Sequence, residues 1–399
     1  MREGYKILQG NTPTLTDIKA DFDEEIQTGE FIRRLLTLTT KERLQDVFPS
    51  LLNDVNNLIS TWGPQGTVDP FTELYKLVFQ VTVRMATCSE LADDPEAVSR
   101  LWGLYQTVEK GTTPAAILFP RFPSSGRKAR DKATADLFVM LLSYVELRRN
   151  AKVPSSDAID VLLSGGAPTN EIIECFIIGV IFAGVVNTGM NVCWVLLYLR
   201  RDLTWKTRAT AEVQQLMAKH ATSLSKSDPL HKRLASIPVS AWEAGMPVAD
   251  ALIRETLRLT SGGGVALQRN MDNAVTIGGK SIARGDFLAY LLEDVHFDAS
   301  IYSDPYTFDP GRYEAGREED KRAPFAYLGW GIGRHPCAGM KVAKLEMKVV
   351  LALFLAGFDY DIVDGAGWPL TAVPEIDRND IHLARPLQPC TIKFKRTEE

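Results

Sequence analysis

The clearest candidate for chemistry in this chain is a cysteine set in a glycine-rich loop. Residues 329–339 read GWGIGRHPCAG, so four glycines accompany Cys337 within eleven residues. The loop continues into a strongly amphipathic helical pattern, MKVAKLEMKVV, and the unpaired amide N–H groups at the start of a helix favour a thiolate over a thiol. A lone buried cysteine is ordinarily a small inert apolar residue. In this loop the pattern instead favours a thiolate that binds a metal.

Two charged motifs precede the cysteine loop. Glu255 and Arg258 are three residues apart on the apolar-patterned helix ALIRETLRLT, and Arg312 follows in DPYTFDPGRY. Taken alone, an ion pair at this spacing is common on solvated helix faces and says little about function. The motifs become informative only because they occur together with the cysteine loop and in this order.

The longest apolar run, Cys175–Leu199, is long enough to cross a membrane. Its small and polar residues are not scattered, because Ala183, Gly184, Asn187 and Thr188 recur at steps of three and four residues. That spacing gives a helix one narrow, hydrogen-bonding face. It predicts a helix at about 170–201 that is buried in a large core and borders a cavity. A membrane span is the alternative.

Composition excludes several classes of protein. The 399 residues carry a net charge of −5 and no basic stripe interleaved with aromatic residues, which argues against a nucleic-acid partner. Five scattered cysteines without a C-x-x-C pair are typical of a reducing, intracellular compartment. The start, MREGYKILQG, lacks an apolar segment, so no signal peptide is visible.

The order of patterns predicts one predominantly helical domain spanning residues 1–399. Residues 1–235 read mostly as amphipathic helices, and residues 236–399 mix helices with strand-like segments. Those segments are GGVALQRN, AVTIGGKSIARGDFLAYLL and PCTIKFKR. No linker rich in glycine or serine divides the chain.

The chain resembles the cytochrome P450 family of haem-thiolate enzymes. Four features carry the resemblance, in this order: the long apolar helix, the Glu255–Arg258 pair, the DPYTFDPGRY segment and the cysteine loop. The loop and the FDPGRY motif look like those of fungal members near the sterol 14-alpha-demethylase branch. The resemblance implies the P450 fold, mainly α with small β-sheets. It also implies that the N-terminal portion of that fold, with its membrane anchor, is absent from the sequence. A full-length relative would lie on the cytoplasmic face of the endoplasmic reticulum membrane.

The resemblance assigns roles around a haem b. Cys337 would be the axial ligand of the iron, with Trp330 against the sulfur side. His335 and Arg269 would each present a cation to a haem propionate. Glycines would clear the backbone for the flat macrocycle and allow positive φ, and the implied ones are Gly331, Gly333 and Gly339. Glu255, Arg258 and Arg312 would form a buried structural triad rather than catalyse.

The long helix departs from the family pattern. Family members usually place an acid and a threonine after an Ala/Gly-Gly pair, and this couple relays protons during oxygen activation. Here Val186 and Asn187 occupy those positions, and Thr188 comes one residue late. One helical step turns a side chain by about 100°, so Thr188 does not simply substitute for the missing threonine.

Three functions therefore stay open. The first is a monooxygenase that inserts one atom of O2 into a C–H bond of a bulky apolar substrate such as a terpenoid, steroid or fatty acid. Its electrons would come from NADPH through a flavin reductase, and Asn187 with Thr188, Gly184 and Ala183 would border the reacting centre. The second is a hydroperoxide isomerase or dehydratase that uses Asn187 without O2 or a reductase. The third is an inactive, truncated haem-binding protein.

The same resemblance indicates where a reductase would dock. The proximal side carries four cations around the start of the helix after Cys337, and an acidic partner could be steered to them. They are Arg334, Lys341, Lys344 and Lys348. A solvated helix face is the alternative interpretation.

Overall fold

The computed structural model describes residues 24–112, 124–169, 171–261, 265–271, 273–333, 336–378 and 384–397, and helices dominate it. The first six α-helices are α1 (Glu24–Leu38), α2 (Lys41–Ser60), α3 (Pro70–Ala86), α4 (Ser89–Ala92), α5 (Pro95–Gly111) and α6 (Ser125–Arg149). The next five are α7 (Ala158–Ser164), α8 (Gly179–Arg201), α9 (Leu203–His220), α10 (Leu230–Ala235) and α11 (Val239–Ala244). The last three are α12 (Pro247–Thr260), α13 (Glu293–His296) and α14 (Met340–Gly357).

The strands form three small antiparallel sheets. Strands β1 (Gln65–Val68), β6 (Phe358–Val363) and β7 (Thr391–Arg396) make a three-stranded sheet with β7 in the middle. Strand β2 (Val265–Arg269) pairs with β5 (Phe287–Leu291), and β3 (Val275–Ile277) pairs with β4 (Lys280–Ile282). The predicted fold class, mainly α with small β-sheets, is confirmed.

Several helices begin at the local signals that the sequence provides. Asp69 caps α3 by accepting the Phe71 N–H at 3.0 Å, with Pro70 at the first helical position. Asp94 caps α5 in the same way, ahead of Pro95. An aspartate at this position satisfies amide groups that have no partner within the helix, and proline fits there because its missing N–H is not needed.

Helix α8 passes through the core. Its C-terminal half, from Thr188 to Leu197, is buried without interruption. It packs closely along α3, because Gly189 lets the Tyr75 ring approach so near that an added Cβ would lie 2.4 Å from Cδ2. Within the described residues, the main hydrophobic core runs from Leu38 in α1 to Phe394 in β7, and a small separate cluster surrounds Tyr302.

The predicted long helix at about 170–201 has two parts. Residues Glu171–Ile178 wind as a π-helix, which the sequence pattern does not distinguish from α-helix, and α8 follows directly. Within the part of the chain that the structure describes, Phe176–Arg201 is the one helix long and apolar enough to cross a membrane. Its continuous burial from Thr188 to Leu197 fits a core helix.

Candidate active site

The cysteine loop makes a tight return at the start of α14. The Cys337 N–H donates to the Trp330 carbonyl at 2.7 Å, and the Gly331 N–H donates to the Leu328 carbonyl at 2.9 Å. This turn requires glycine, because Gly331 and Gly333 have φ values of 69° and 77°. The loop thus presents Cys337 at its surface.

Cys337 differs from the other described cysteine side chains. Cys88, Cys193 and Cys390 are buried, whereas Cys337 is exposed. Partial burial raises the pKa of the Cys337 thiol, although the amide N–H groups of Gly339 and Met340 act to lower it. The helix N-terminus therefore works in the predicted direction, but desolvation outweighs it. A metal cation at the sulfur would reverse the balance, since a coordinating thiol is deprotonated outright.

The glycines of the loop do different jobs. A Cβ at Gly333 or Gly339 would meet no atom within 4 Å, so the loop is open beside both. A Cβ at Gly329 would lie 2.4 Å from the Tyr327 hydroxyl, so this glycine is explained by packing within the protein. Trp330, predicted to lie against the sulfur side, is half-buried and packs on the hydrophobic core.

The candidate catalytic residues of α8 separate onto two faces. Ala183 and Asn187 are exposed, and the Asn187 Nδ2 donates to the Ala183 carbonyl at 3.2 Å. Gly184 is half-buried against Thr82 of α3. Thr188 is only 3% exposed, so it lies in the core and does not join Asn187. The turn of about 100° between successive residues is the physical reason.

A second asparagine continues the hydrogen-bonded row along α8. The Asn191 Nδ2 donates to the Asn187 carbonyl at 2.8 Å, and its Oδ1 accepts from the Thr260 hydroxyl at 2.8 Å. Thr260 is the last residue of α12. The row therefore connects the exposed Asn187 to the end of the helix that carries Glu255.

The structure brings the three predicted triad residues together. Glu255 accepts from Arg258 at 2.9 and 2.8 Å through its two oxygens, and from the Arg312 Nε at 2.9 Å. All three side chains are 0% exposed. Arg258 also donates to the His296 and Pro305 carbonyls, at 2.6 Å each. These bonds fasten α12 to the segment that precedes the cysteine loop.

A fourth charged residue in this cluster escaped the sequence analysis. Glu319 is 1% exposed and accepts from the Arg312 Nη1 at 2.9 Å and from the Arg317 Nη2 at 3.0 Å. Hydrogen bonds from Ser303, Arg317 and Arg312 outweigh desolvation and lower the pKa of Glu319 to about 2. Nothing in the run REED distinguishes Glu319 from a surface acid. Two buried carboxylates thus face two buried guanidinium groups.

The two cations predicted for the propionates have different outcomes. Arg269 ends β2, and its Nε donates to the Gly285 carbonyl at 3.1 Å while its guanidinium lies 5.5 Å from the Phe287 ring centroid. His335 falls outside the described residues, as does Arg334.

The proximal lysines are less available than the sequence indicated. Lys348 is 2% exposed, and its Nζ donates to the Trp242 carbonyl at 3.0 Å and to Asp250 at 3.1 Å. Lys344 also pairs with Asp250, at 2.7 Å. Among the described members of the predicted set, Lys341 alone is exposed, whereas Lys344 is half-buried. The others hold α14 against the start of α12.

Comparisons with known proteins decide the family. A family model for cytochrome P450 matches residues 24–388. The chain belongs to the cytochrome P450 family. It is 30% identical to the cytochrome P450 monooxygenase nsrP of Aspergillus novofumigatus, over 90% of this chain and 69% of the relative. It is 29% identical to the monooxygenase AacuE of Aspergillus aculeatus, over 89% and 72%.

Two further comparisons place this P450 more broadly. It is 27% identical to sterol 14-demethylase of Arabidopsis thaliana, over 94% of this chain and 74% of the relative. Its fold matches the retinoic-acid-bound cyanobacterial CYP120A1 with a TM-score of 0.73 at 20% identity, over 92% and 78% of the two chains. The chain is a P450 monooxygenase, an oxidoreductase, and the family implies haem, O2, a substrate and a redox partner.

The residues around Cys337 fit a haem. A thiol is exposed at the surface of a loop whose glycines, Gly333 and Gly339, present no side chain. Amide N–H groups at the start of α14 point toward that sulfur, as a thiolate ligand requires. Nearby, α14 packs against α8, which exposes Ala183 and Asn187. A flat, apolar cofactor with an anionic sulfur ligand matches this combination.

Proposed function

We propose that this P450 inserts one atom of O2 into a C–H bond of a bulky apolar substrate, such as a terpenoid, steroid or fatty acid. The observation that carries the proposal is the exposed Cys337 on a glycine-lined loop, near a core helix that exposes Ala183 and Asn187 in its N-terminal half. The relatives include fungal monooxygenases and a sterol demethylase, which supports this substrate class.

Cys337 is proposed as the residue whose thiolate would hold the iron of haem b. When bound, the haem supplies the activation of dioxygen, and a thiolate ligand pushes electron density toward the iron to favour O–O cleavage. The chain's task is to present the sulfur, which the Cys337–Trp330 hydrogen bond and the start of α14 do. His335, Arg269, Trp330, Gly331, Gly333 and Gly339 complete the proposed haem contacts.

Asn187 is proposed to orient the water that delivers protons. Its Nδ2 is engaged by the Ala183 carbonyl, which leaves Oδ1 as an acceptor on the exposed face of α8. The carboxamide of Asn187 does not ionise near pH 7, so it cannot itself supply a proton. The proton must arrive through a water molecule that Asn187 holds in place. Ala183 and Gly184 leave room beside it, while the buried Thr188 contributes packing.

We further propose that residues 1–399 form one catalytic domain, because the main hydrophobic core joins the described helices other than α13 to β6 and β7. Glu255, Arg258 and Arg312 are proposed as its structural triad. Electrons are proposed to come from NADPH through a flavin reductase. The proposed location is the cytoplasmic face of the endoplasmic reticulum membrane.

The test supplies NADPH, a flavin reductase and 18O2 to the purified haem protein with a panel of sterols, terpenoids and long-chain fatty acids. Products that carry one 18O atom support the proposal. Products whose added oxygen comes from the unlabelled water, and which therefore carry no 18O, contradict it. Asn187→Ala is expected to lower product formed per NADPH consumed. Thr188→Val is the matched control, because it alters the next residue of α8 on the buried face.

A second candidate function rests on Val186. This apolar residue, half-buried against the core, occupies the place of the family's acid, so α8 carries no ionisable proton donor beside Asn187. A hydroperoxide isomerase or dehydratase needs no such donor. A fatty-acid hydroperoxide offered without NADPH or reductase separates the two, because rapid turnover there would favour this second function over monooxygenation.

A further inference from the structure

A buried histidine connects the charge cluster to the cysteine loop. His296 is the last residue of α13 and is 0% exposed. Its backbone carbonyl accepts from Arg258 at 2.6 Å, and its ring Nε2 accepts the Leu328 N–H at 3.0 Å. The ring also stacks on Tyr327, with the centroids 5.6 Å apart. One residue therefore contacts both the Glu255–Arg258 pair and the start of the loop.

The Leu328 bond leads to the cysteine in two further steps. The Leu328 carbonyl accepts from Gly331 at 2.9 Å, and the Trp330 carbonyl accepts from Cys337 at 2.7 Å. Fixing Leu328 therefore fixes the turn whose other end is Cys337. Because the amide of Leu328 is buried, loss of its acceptor would leave an unpaired donor, which a folded chain strongly avoids.

The chemistry of the ring suits this connection. Nε2 accepts a hydrogen bond only when the imidazole is neutral with its proton on Nδ1. Burial, together with the neighbouring Arg258 charge, lowers the pKa of His296 to about 4, so the ring stays neutral near pH 7. Nδ1 has no hydrogen-bond partner among the described residues. The Arg258 backbone nevertheless interacts with the ring and acts to raise its pKa, against the larger effect of burial. The hydrogen bond that ties the ring to the loop is the one that Nε2 accepts from Leu328.

We propose that His296 is a positioning residue for Cys337: its Nε2 holds Leu328, and through the Leu328–Gly331 and Trp330–Cys337 hydrogen bonds it fixes how the loop presents the sulfur. This inference rests on the proposed role of Cys337 as the haem ligand. It assigns the residue no contact with haem or substrate.

Three variants separate positioning from ordinary stability. His296→Phe keeps a ring to stack on Tyr327 and removes the acceptor, whereas His296→Gln restores an acceptor of similar reach. Tyr302→Phe is the matched control, because it removes a buried 2.9 Å hydrogen bond from the Tyr302 hydroxyl to the Ala326 carbonyl, two residues before Leu328. The control perturbs the same segment without breaking the connection that leads to Cys337.

Hydrogen exchange of the haem-loaded full chain is the first measurement. His296→Phe is expected to speed exchange at the Leu328 and Cys337 amides by about 5- to 100-fold, the loss anticipated for one unpaired buried N–H. Tyr302→Phe is expected to leave the Cys337 amide unchanged, and His296→Gln to restore most of the protection. Equal acceleration of the Cys337 amide in His296→Phe and Tyr302→Phe would overturn the proposal.

The absorption spectrum of the reduced, carbon-monoxide-bound protein is the second measurement. His296→Phe should lower the thiolate-shifted fraction of the Soret band, and Tyr302→Phe should not. If even the wild type lacks a shifted band, the proposed role of Cys337 fails, while the exchange data still decide whether His296 holds the loop. Should His296→Phe fail to fold, the wild type suffices: a Cys337 amide that exchanges far faster than Leu328 would contradict the coupling.

Discussion

Replacing Arg312 by methionine tests the buried charge cluster most sharply. Methionine keeps much of the aliphatic volume and removes the charge. Arg312 bonds Glu255 and Glu319 at 2.9 Å each, and its Nη2 donates to the Asp304 and Thr307 carbonyls at 2.9 and 2.8 Å. The arginine and both carboxylates are at most 1% exposed, so the variant leaves two buried carboxylates with only one buried guanidinium group, that of Arg258. Breaking a buried pair in this way costs about 3–5 kcal/mol.

The loss is large against a total stability of roughly 5–15 kcal/mol. Urea unfolding of the haem-loaded protein, followed by circular dichroism and by haem absorbance, measures it. The control is Arg200→Met, which breaks a 2.8 Å pair with Asp361 whose two side chains are 26% and 35% exposed. That control should cost only about 0.2–1 kcal/mol. If Arg312→Met costs no more than Arg200→Met and retains haem equally well, the cluster is not what secures the segment before the loop.

Three other perturbations have definite signs. The pKa of Glu319 is lowered to about 2 in the folded protein, against about 4.3 in the unfolded chain. Its contribution to stability is therefore present above about pH 4.3 and disappears as the pH falls toward 2. The difference in urea midpoint between wild type and Glu319→Gln should shrink over that range. Burial raises the pKa of Glu346 to about 8, so the wild type loses stability as pH rises from about 4.3 to 8. Over that range the stability of Glu346→Gln should increase relative to that of the wild type. A stability difference independent of pH would refute this. Gly189→Ala, whose Cβ would meet Tyr75 at 2.4 Å, should cost about 1–3 kcal/mol in thermal unfolding, while Gly103→Ala on an open helix face should gain about 0.4–1 kcal/mol. A stabilised Gly189→Ala protein would mean that α8 and α3 are not in close contact.

Local patterns predicted most of the fold. In the described residues the first half is helical apart from β1, and the strand-like segments contain β2 to β5 and β7. Strand β6 was missed although Phe358–Val363 alternates apolar and acidic residues, because it follows α14 without a loop. Strand β1 has four residues and pairs with β7, more than 300 residues later. No local signal reports such a pairing.

Spacing located the charge triad, but not the rest of its surroundings. The sequence analysis grouped Thr188 with Asn187 on one face that borders the reacting centre, whereas the structure exposes Asn187 and buries Thr188. The turn of about 100° per residue, noted from the sequence, is the reason. Glu319 and Lys348 could not be anticipated, because a charged side chain is buried only where tertiary partners meet it. For Lys348 those partners are Asp250 and a carbonyl of α11, about a hundred residues earlier.

Glycine in the cysteine loop shows the same limit. The resemblance assigned Gly331, Gly333 and Gly339 to clear space for a macrocycle, and Gly333 and Gly339 lie open. Gly329 instead makes room for the ring of Tyr327, two residues earlier in the chain. The sequence shows that the loop has no side chains at these positions, whereas only the structure shows which neighbouring group occupies the space.

The spectrum of the reduced, carbon-monoxide-bound protein tests the assignment of Cys337 most directly. Wild type should give a Soret band shifted as a thiolate ligand requires, and Cys337→Ala and Cys337→His should each lose it while the fold, followed by circular dichroism, is retained. A shifted band that survives both substitutions, or a wild-type protein that binds haem with no shifted band, would contradict the assignment.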